Sequence, residues 1–376
     1  LHLTNSVTQQ TINTPQIMAM LCAHVYVFFL LGTLRVASSG TPIPAKRYTV
    51  NLDLPAQDRF HDVAVDYADD LKTFVKELQQ IVPQEVIDVV DVIAASVDKH
   101  IRAPYAAEMV GVSLAAGVAL GDVVLANLLY EITAFSHSPS KMCTSIVAEV
   151  MNGTIYHGRN LDYGTFTDLL RNVTAIVDYQ QGGETVYTGT TFVGMVGLLT
   201  GQKPYGYTIT LDERDQGDWW MNLIEGLADG TDGVTSLLIR DTLAGDYTFE
   251  AAIDKLAYSP LIAPCYIIVG GTTSGQGVVI TRDRVSAVDL WYLNALGGQW
   301  FLVETNYDHW TTPPPDDDRQ DPAIKAMNAT GRANINAPAL FSVLSIPPVM
   351  NNGTTYTVTM SAAIPELYNT WVRPHP

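Results

Sequence analysis

Residues 143–163 constrain this chain most. Two runs of β-branched and apolar residues, Cys143-Thr144-Ser145-Ile146-Val147-Ala148 and Thr154-Ile155-Tyr156-His157-Gly158-Arg159-Asn160-Leu161-Asp162-Tyr163, flank the dipeptide Asn152-Gly153. Asn-Gly between such runs is the strongest short-range hairpin signal, because both residues tolerate the positive φ of a two-residue turn. A turn of that kind pairs Met151 with Thr154 and sets Cys143 opposite Asp162, with facing Cβ atoms about 5 Å apart. The same register sends Arg159 to the other face of the ribbon. An arginine that also serves the thiol then requires a bulge, for which Gly158 is the natural place.

The pattern downstream is that of a sheet protein. Strands are predicted at 143–150, 154–160, 173–180, 184–193, 206–212, 265–270, 277–282, 287–292, 300–305 and 355–361, with turns at Gln181-Gly182-Gly183 and Ser274-Gly275. Upstream, 47–54 alternates as a strand does, and 56–137 turns helical with Pro83 and Pro104 as punctuation. Helical spacing returns at 218–256 and 320–346, while PPPDDD at 313–318 reads as a solvated loop. Strands covered by helices predict an α+β architecture of layered sheets. The apolar spacing of 63–97 is read first as core packing; one helix there with an exposed apolar face would dock on lipid.

With 376 residues and 47% hydrophobic content the chain has material for a large core, and its net charge of −18 argues against nucleic acid as a partner. Residues 19–34 are apolar but short for a membrane span, and small residues follow at 37–40, so residues 1–39 are read as leader and signal peptide. Cys22 would leave with that segment. Cys143 and Cys265 can then form at most one bridge, so no disulfide framework is expected. Cys143 reads as a free thiol and Cys265 as a small buried hydrophobe. Four Asn-x-Ser/Thr sequons, at Asn152, Asn172, Asn328 and Asn352, accord with secretion and glycosylation, Asn152 being the poorest acceptor because it sits in the turn.

Several ungapped motifs carry a family resemblance: Cys143 to Ala148, His157-Gly158-Arg159-Asn160-Leu161-Asp162-Tyr163, Gly189-Thr190-Thr191-Phe192, Asp212-Glu213-Arg214-Asp215 and Glu304-Thr305-Asn306-Tyr307-Asp308-His309-Trp310. They resemble the acid amidases that hydrolyse N-acylethanolamines, close relatives of the acid ceramidases, and the likeness spans about 46–373. It implies an N-terminal nucleophile hydrolase of four-layer αββα fold. The precursor would cut itself between Met142 and Cys143, leaving a helical α chain (40–142) and a catalytic β chain (143–376) associated as a heterodimer in the lysosome.

The chemistry of such a site can be stated from the groups themselves. An amide is a poor electrophile, so a thiol that attacks it needs a lowered pKa, a proton carrier and donors for the oxyanion. Scission supplies the carrier as the α-amino group of Cys143. The resemblance implies that Arg159 and Asp162 tune that pair, that Asn306 donates to the oxyanion and that Glu213 assists maturation. Tyr163, Met195 and Trp220 are taken as substrate-lining residues for a fatty acyl amide, with peripheral contact to membrane or micelles, although core packing explains 193–199 nearly as well. His157 reads as structural. Without HExxH, CxxC or a Gly-rich phosphate loop, no metal or cofactor is expected. Three functional readings stay open: the amidase, which the small number of cysteines favours, a ceramidase, and an inactive lipid-binding relative.

Overall fold

The computed structural model describes residues 40–82, 84–130, 143–164, 166–214 and 233–374. The N-terminal segment opens with two short strands, β1 (Ile43–Pro44) and β2 (Lys46–Asn51), and continues as helices α1 (His61–Asp66), α2 (Ala68–Ile81), α3 (Gln84–Ala95), α4 (Val97–His100), α5 (Tyr105–Ala116) and α6 (Leu120–Asn127). On α2, Leu71, Phe74, Val75 and Leu78 recur at three- and four-residue spacing and are all buried, so a single stripe carries the helix into the core.

Beyond Cys143 the chain builds two sheets. It runs β3 (Thr144–Glu149), β4 (Ile155–Asp162), α7 (Thr167–Asn172), β5 (Thr174–Gln181), β6 (Glu184–Phe192), β7 (Thr200–Lys203), β8 (Tyr207–Glu213), α8 (Thr235–Ala244), α9 (Phe249–Tyr258), β9 (Cys265–Gly270), β10 (Gly277–Arg282), β11 (Ala287–Tyr292), β12 (Phe301–Glu304), α10 (Gln320–Thr330), α11 (Ala337–Val343), β13 (Thr354–Met360) and β14 (Tyr368–Val372). One sheet has the order β1-β14-β13-β4-β3-β12 and the other β11-β10-β9-β8-β7-β6-β5-β2. Neighbouring strands are antiparallel except β2 beside β5.

Alternation along β3 and β4 fixes the layers. Ile146 and Ala148 turn outward onto Ala323 and Met327 of α10 and Leu340 and Val343 of α11. Val147 and Ile155 turn inward onto Tyr266, Ile268 and Val279 of the second sheet. The far face of that sheet is covered by α8, α9 and the N-terminal helices. There Arg240 of α8 donates to Glu108 of α5 through Nη1 and through Nη2, the latter at 2.9 Å, and its guanidinium lies 4.7 Å from the Tyr179 ring of β5. Helix, sheet, sheet, helix is the four-layer αββα arrangement that the motifs implied.

The hairpin differs from its sequence reading by one residue. The Val150 amide donates to Thr154 O at 3.0 Å, the Gly153 amide to Val150 O at 3.0 Å, and Gly153 takes φ 85°. This is a three-residue loop, Met151-Asn152-Gly153, with glycine in the left-handed position rather than a two-residue turn. Ser145 therefore faces Arg159 and Thr144 faces Asn160, where the shorter turn would have set Cys143 opposite Asp162. A slip of one residue exchanges the two faces of a strand. Arg159 thereby joins Cys143, and the register passes through Gly158 without a bulge. Gly158 has another reason to be glycine, since a Cβ there would lie 2.9 Å from Leu344 Cδ1 in the covering layer.

Candidate active site

The site lies between the sheets at the start of β3. Cys143 and Ser145 point inward from β3, and His157 and Arg159 do the same from β4. All of them are buried. Arg159 spans the gap: Nη2 donates to Cys143 Sγ at 3.1 Å, to Leu211 O at 2.8 Å and to Asp212 Oδ1 at 3.3 Å, while Nη1 donates to Leu199 O at 3.1 Å and Thr200 Oγ1 at 2.8 Å. A guanidinium held by five acceptors keeps its charge on the sulfur without having to be ordered at each turnover.

Asp162, at the end of β4, reaches the cysteine from the other side. Its backbone N–H hydrogen-bonds the thiol, Oδ2 accepts from Asn351 Nδ2 at 2.8 Å, and Oδ1 is buried with no partner. Burial pushes the Cys143 thiol up to about 11, with Arg159 opposing the rise and Asp212 and Asp162 adding to it. Burial likewise raises Asp162 to about 7, against the pull of Arg319, Thr354, Asn351 and Arg159. Asp212 is raised to about 6 by burial, against Arg159, Ser145 and Arg319. His157 falls to about 3, first through burial and then through Arg159. Its ring nitrogens meet Thr208 Oγ1 at 2.8 Å and Thr210 Oγ1 at 3.1 Å, a structural role.

Both carboxyls take up protons on folding, because their folded pKa values lie above the unfolded value of about 4. The associated stability is present at low pH and is lost as pH rises through about 6 to 7. Thermal scans of a Cys143→Ala chain should show stability falling from about pH 5 to about pH 7.5 by on the order of a few kcal/mol. A melting temperature that rises over that span would contradict it.

Asn306 sits just past β12 in the left-handed region, φ 75°. Its backbone N–H and that of Thr305 donate to Glu304 Oε1 at 2.9 and 3.0 Å, and its Nδ2 donates to Glu213 O at 2.8 Å. A second hydrogen on Nδ2 remains for another acceptor. Glu213 is buried at the end of β8, beside Cys265 of β9, and Arg214 is clamped by both oxygens of Asp308 at 2.8 and 2.9 Å.

The sequence reading missed Arg319, its partner Asp317 and the role of Asp212. Arg319 is buried: Nη1 donates to Cys143 O, and Nη2 to Thr305 O at 2.7 Å and to Asn306 Oδ1 at 3.2 Å. Asp317, inside the run read as a solvated loop, holds Arg319 at 2.6 Å. A signal existed, because a cation at the N-terminal boundary of a helix opposes the helix dipole and so demands a specific partner. Asp212 stood in a quoted motif without a role; its Oδ1 accepts from Ser145 Oγ at 2.9 Å.

The remaining candidates are dispersed. Tyr163 is buried against Phe166, and Met195 lies in the main core beside α6, whose Asn127 donates to Gly194 O at 2.8 Å. Asn152, Asn172, Asn328 and Asn352 are all exposed, and Asn152 Oδ1 accepts the Thr154 amide at 3.1 Å. Cys143 is a free, buried thiol, and Cys265 is buried at the start of β9. Val65 and Val92 are exposed on the N-terminal helices, and among the described residues no helix is long and apolar enough to cross a membrane. Met142, Trp220 and residues 1–39 lie outside the described residues.

Comparison with known proteins agrees with this geometry. Residues 43–101 match the family described as the beta subunit of N-acylethanolamine-hydrolyzing acid amidase, and residues 143–334 match the linear amide C–N hydrolases of the choloylglycine hydrolase family. The N-acylethanolamine-hydrolyzing acid amidase of Mus musculus is 48% identical over 336 residues, 89% of this chain and 90% of the relative. The acid ceramidase of Macaca fascicularis is 35% identical, covering 89% of this chain and 87% of the relative. The solved structure of the Caenorhabditis elegans N-acylethanolamine-hydrolyzing acid amidase ortholog is 40% identical, with a TM-score of 0.57, covering 62% of this chain and all of that one.

Proposed function

This chain belongs to the N-acylethanolamine-hydrolysing acid amidase family of linear amide C–N hydrolases, and from that premise we propose that it hydrolyses fatty N-acylethanolamines after cutting itself before Cys143. The observation that carries the reading is the 3.1 Å contact between Arg159 Nη2 and Cys143 Sγ inside a buried site. Burial holds the thiol protonated rather than lowering its pKa as the sequence reading expected, so the contact supports a sulfur whose charge is met by a fixed guanidinium once its proton leaves.

In this reading scission frees the Cys143 amine. Either the amine, its pKa depressed from the usual value near 8, takes the thiol proton as sulfur attacks the amide carbonyl, or the proton already rests on the amine and the thiolate attacks. The oxyanion accepts from the spare hydrogen of Asn306 Nδ2, and such a donor is typically worth about 10²–10³ in rate. The protonated amine then gives its proton to the departing ethanolamine nitrogen, and water, deprotonated by the same amine, releases the fatty acid. Arg159 favours thiolate, and Asp162 favours ammonium once it ionises, so the two pull the pair in opposite directions. The unpartnered Asp162 Oδ1 supports a place for the new amine, and burial of Glu213 beside Asn306 supports a part in maturation.

The segments 40–142 and 143–376 would remain together as heterodimer, glycosylated at the exposed Asn172, Asn328 and Asn352 and more poorly at Asn152, in a lysosomal protein that enters the secretory route through its 1–39 leader. Tyr163, Met195 and Trp220 would line the acyl site, and the exposed apolar residues of the N-terminal helices would touch lipid surfaces. The test is incubation at about pH 4.5, below the range in which Asp212 and Asp162 ionise. Sequencing should find the heavier fragment starting at Cys143, and palmitoylethanolamide should release fatty acid faster than ceramide does. A chain that stays whole and releases nothing would be a lipid binder; preference for ceramide would make it a ceramidase.

A further inference from the structure

We propose that Asp212 is a positioning residue for this reaction: Asp212 and Cys143 are rival acceptors of one Arg159 guanidinium, and the chemistry runs while Asp212 is uncharged and that guanidinium belongs to sulfur. The inference rests on Cys143 being the nucleophile. Arg159 is wholly buried, and its Nη1 is committed to Leu199 O and Thr200 Oγ1. Nη2 alone serves both Cys143 Sγ, at 3.1 Å, and Asp212 Oδ1, at 3.3 Å, with Leu211 O as its third acceptor. A single positive charge cannot neutralise two buried anions, and the second is strongly disfavoured at that depth.

The surroundings of Asp212 do not stabilise a permanent carboxylate. Oδ1 accepts from Ser145 Oγ, and Oδ2 is buried with no partner. The groups that face it are Cys143 and Ser145 from β3, Arg159 and the neutral His157 from β4, Tyr266 from β9, Glu304 from β12, Tyr356 from β13 and Arg319 ahead of α10. Two are cations, and Arg319 is already paired with Asp317. Glu304 is itself pushed well above the usual carboxylate range by burial and by Asp212, so it adds repulsion if it ionises. These terms agree with the rise of Asp212 to about 6.

The sign follows. Below that value Asp212 is neutral and the guanidinium is free for the thiolate that forms as the amine takes the thiol proton. Above it the carboxylate claims Nη2, and sulfur holds its proton. Asp212 neither gives nor takes a proton during turnover; its charge is set beforehand. One such group lowers a rate about tenfold per pH unit above its pKa.

The experiment measures self-scission and palmitoylethanolamide hydrolysis by the full chain from about pH 4.5 to about pH 7.5. Asp212→Asn should remove the alkaline limb, shrinking the ratio of acid to neutral rates at least about tenfold relative to the unmodified chain. Ser145→Ala deletes a hydrogen bond that favours the charged carboxylate and should move the limb to higher pH; it carries the test if Asp212→Asn does not fold. A rate lowered by one factor at every pH, or a limb left in place by both variants, overturns the inference. An unmodified chain that neither cuts itself nor hydrolyses overturns the amidase reading instead, and this inference with it.

Discussion

Cys143→Ala is expected to leave the chain whole after acid incubation and to abolish release of fatty acid. The loss should be chemical rather than structural. Four of the five hydrogen bonds that hold the Arg159 guanidinium go to Leu199 O, Thr200 Oγ1, Leu211 O and Asp212, so the arginine stays in place when sulfur is removed. Without the thiol the group that attacks the carbonyl is gone, and rates should fall to background, a loss of several orders of magnitude. Gel and intact-mass analysis read the scission, and a fatty acid assay reads the hydrolysis. A variant that still matures would remove Cys143 from the mechanism.

The largest expected effect on stability comes from the opposite side of the molecule. Glu108 is fully buried and accepts from Arg240 Nη2 at 2.9 Å and from Arg59 Nη1 at 3.0 Å, while Arg240 also donates to Val196 O at 2.8 Å and Tyr187 OH at 3.1 Å. Glu108→Ala strands the Arg240 charge among Phe60, Tyr105 and Tyr179. Breaking a buried pair from one side typically costs about 3–5 kcal/mol, whereas replacing both partners with apolar groups of similar volume is often close to neutral. Denaturant unfolding of Glu108→Ala should therefore show a larger loss than the double variant Glu108→Leu with Arg240→Met. Equal losses would mean that the stranded Arg240 charge is not the cause, and a loss below about 1 kcal/mol for the single variant would mean that the pair contributes little to stability.

Strands of the second half were legible because their alternation is long and bounded by turn residues. The Gln181-Gly182-Gly183 turn formed as read, with both glycines at positive φ. Strands β1, β7 and β14 escaped notice: two residues, Thr-Gly-Gln-Lys, and a stretch beside terminal prolines carry no two-residue period. The hairpin at Asn152-Gly153 was found but its length was not, because Asn-Gly suits both two- and three-residue loops and only the pairing of Val150 with Thr154 decides. That single residue determined the face of Arg159. Arg319 comes to Cys143 across 176 residues of chain, a contact that no local pattern encodes.

Residues 43–51 have a consequence for how the protein must be handled. This one ribbon seals an outer strand of both sheets, β1 along β14 and β2 along β5, with the Ala45 amide tied to Thr370 O at 3.0 Å between them. A fragment produced without it would present two rows of unsatisfied amides and carbonyls to its own copies, the template for edge-to-edge aggregation. Recombinant production from residue 143 onward should therefore yield insoluble material, and the N-terminal segment has to be made in the same chain even though the reacting groups all lie beyond it.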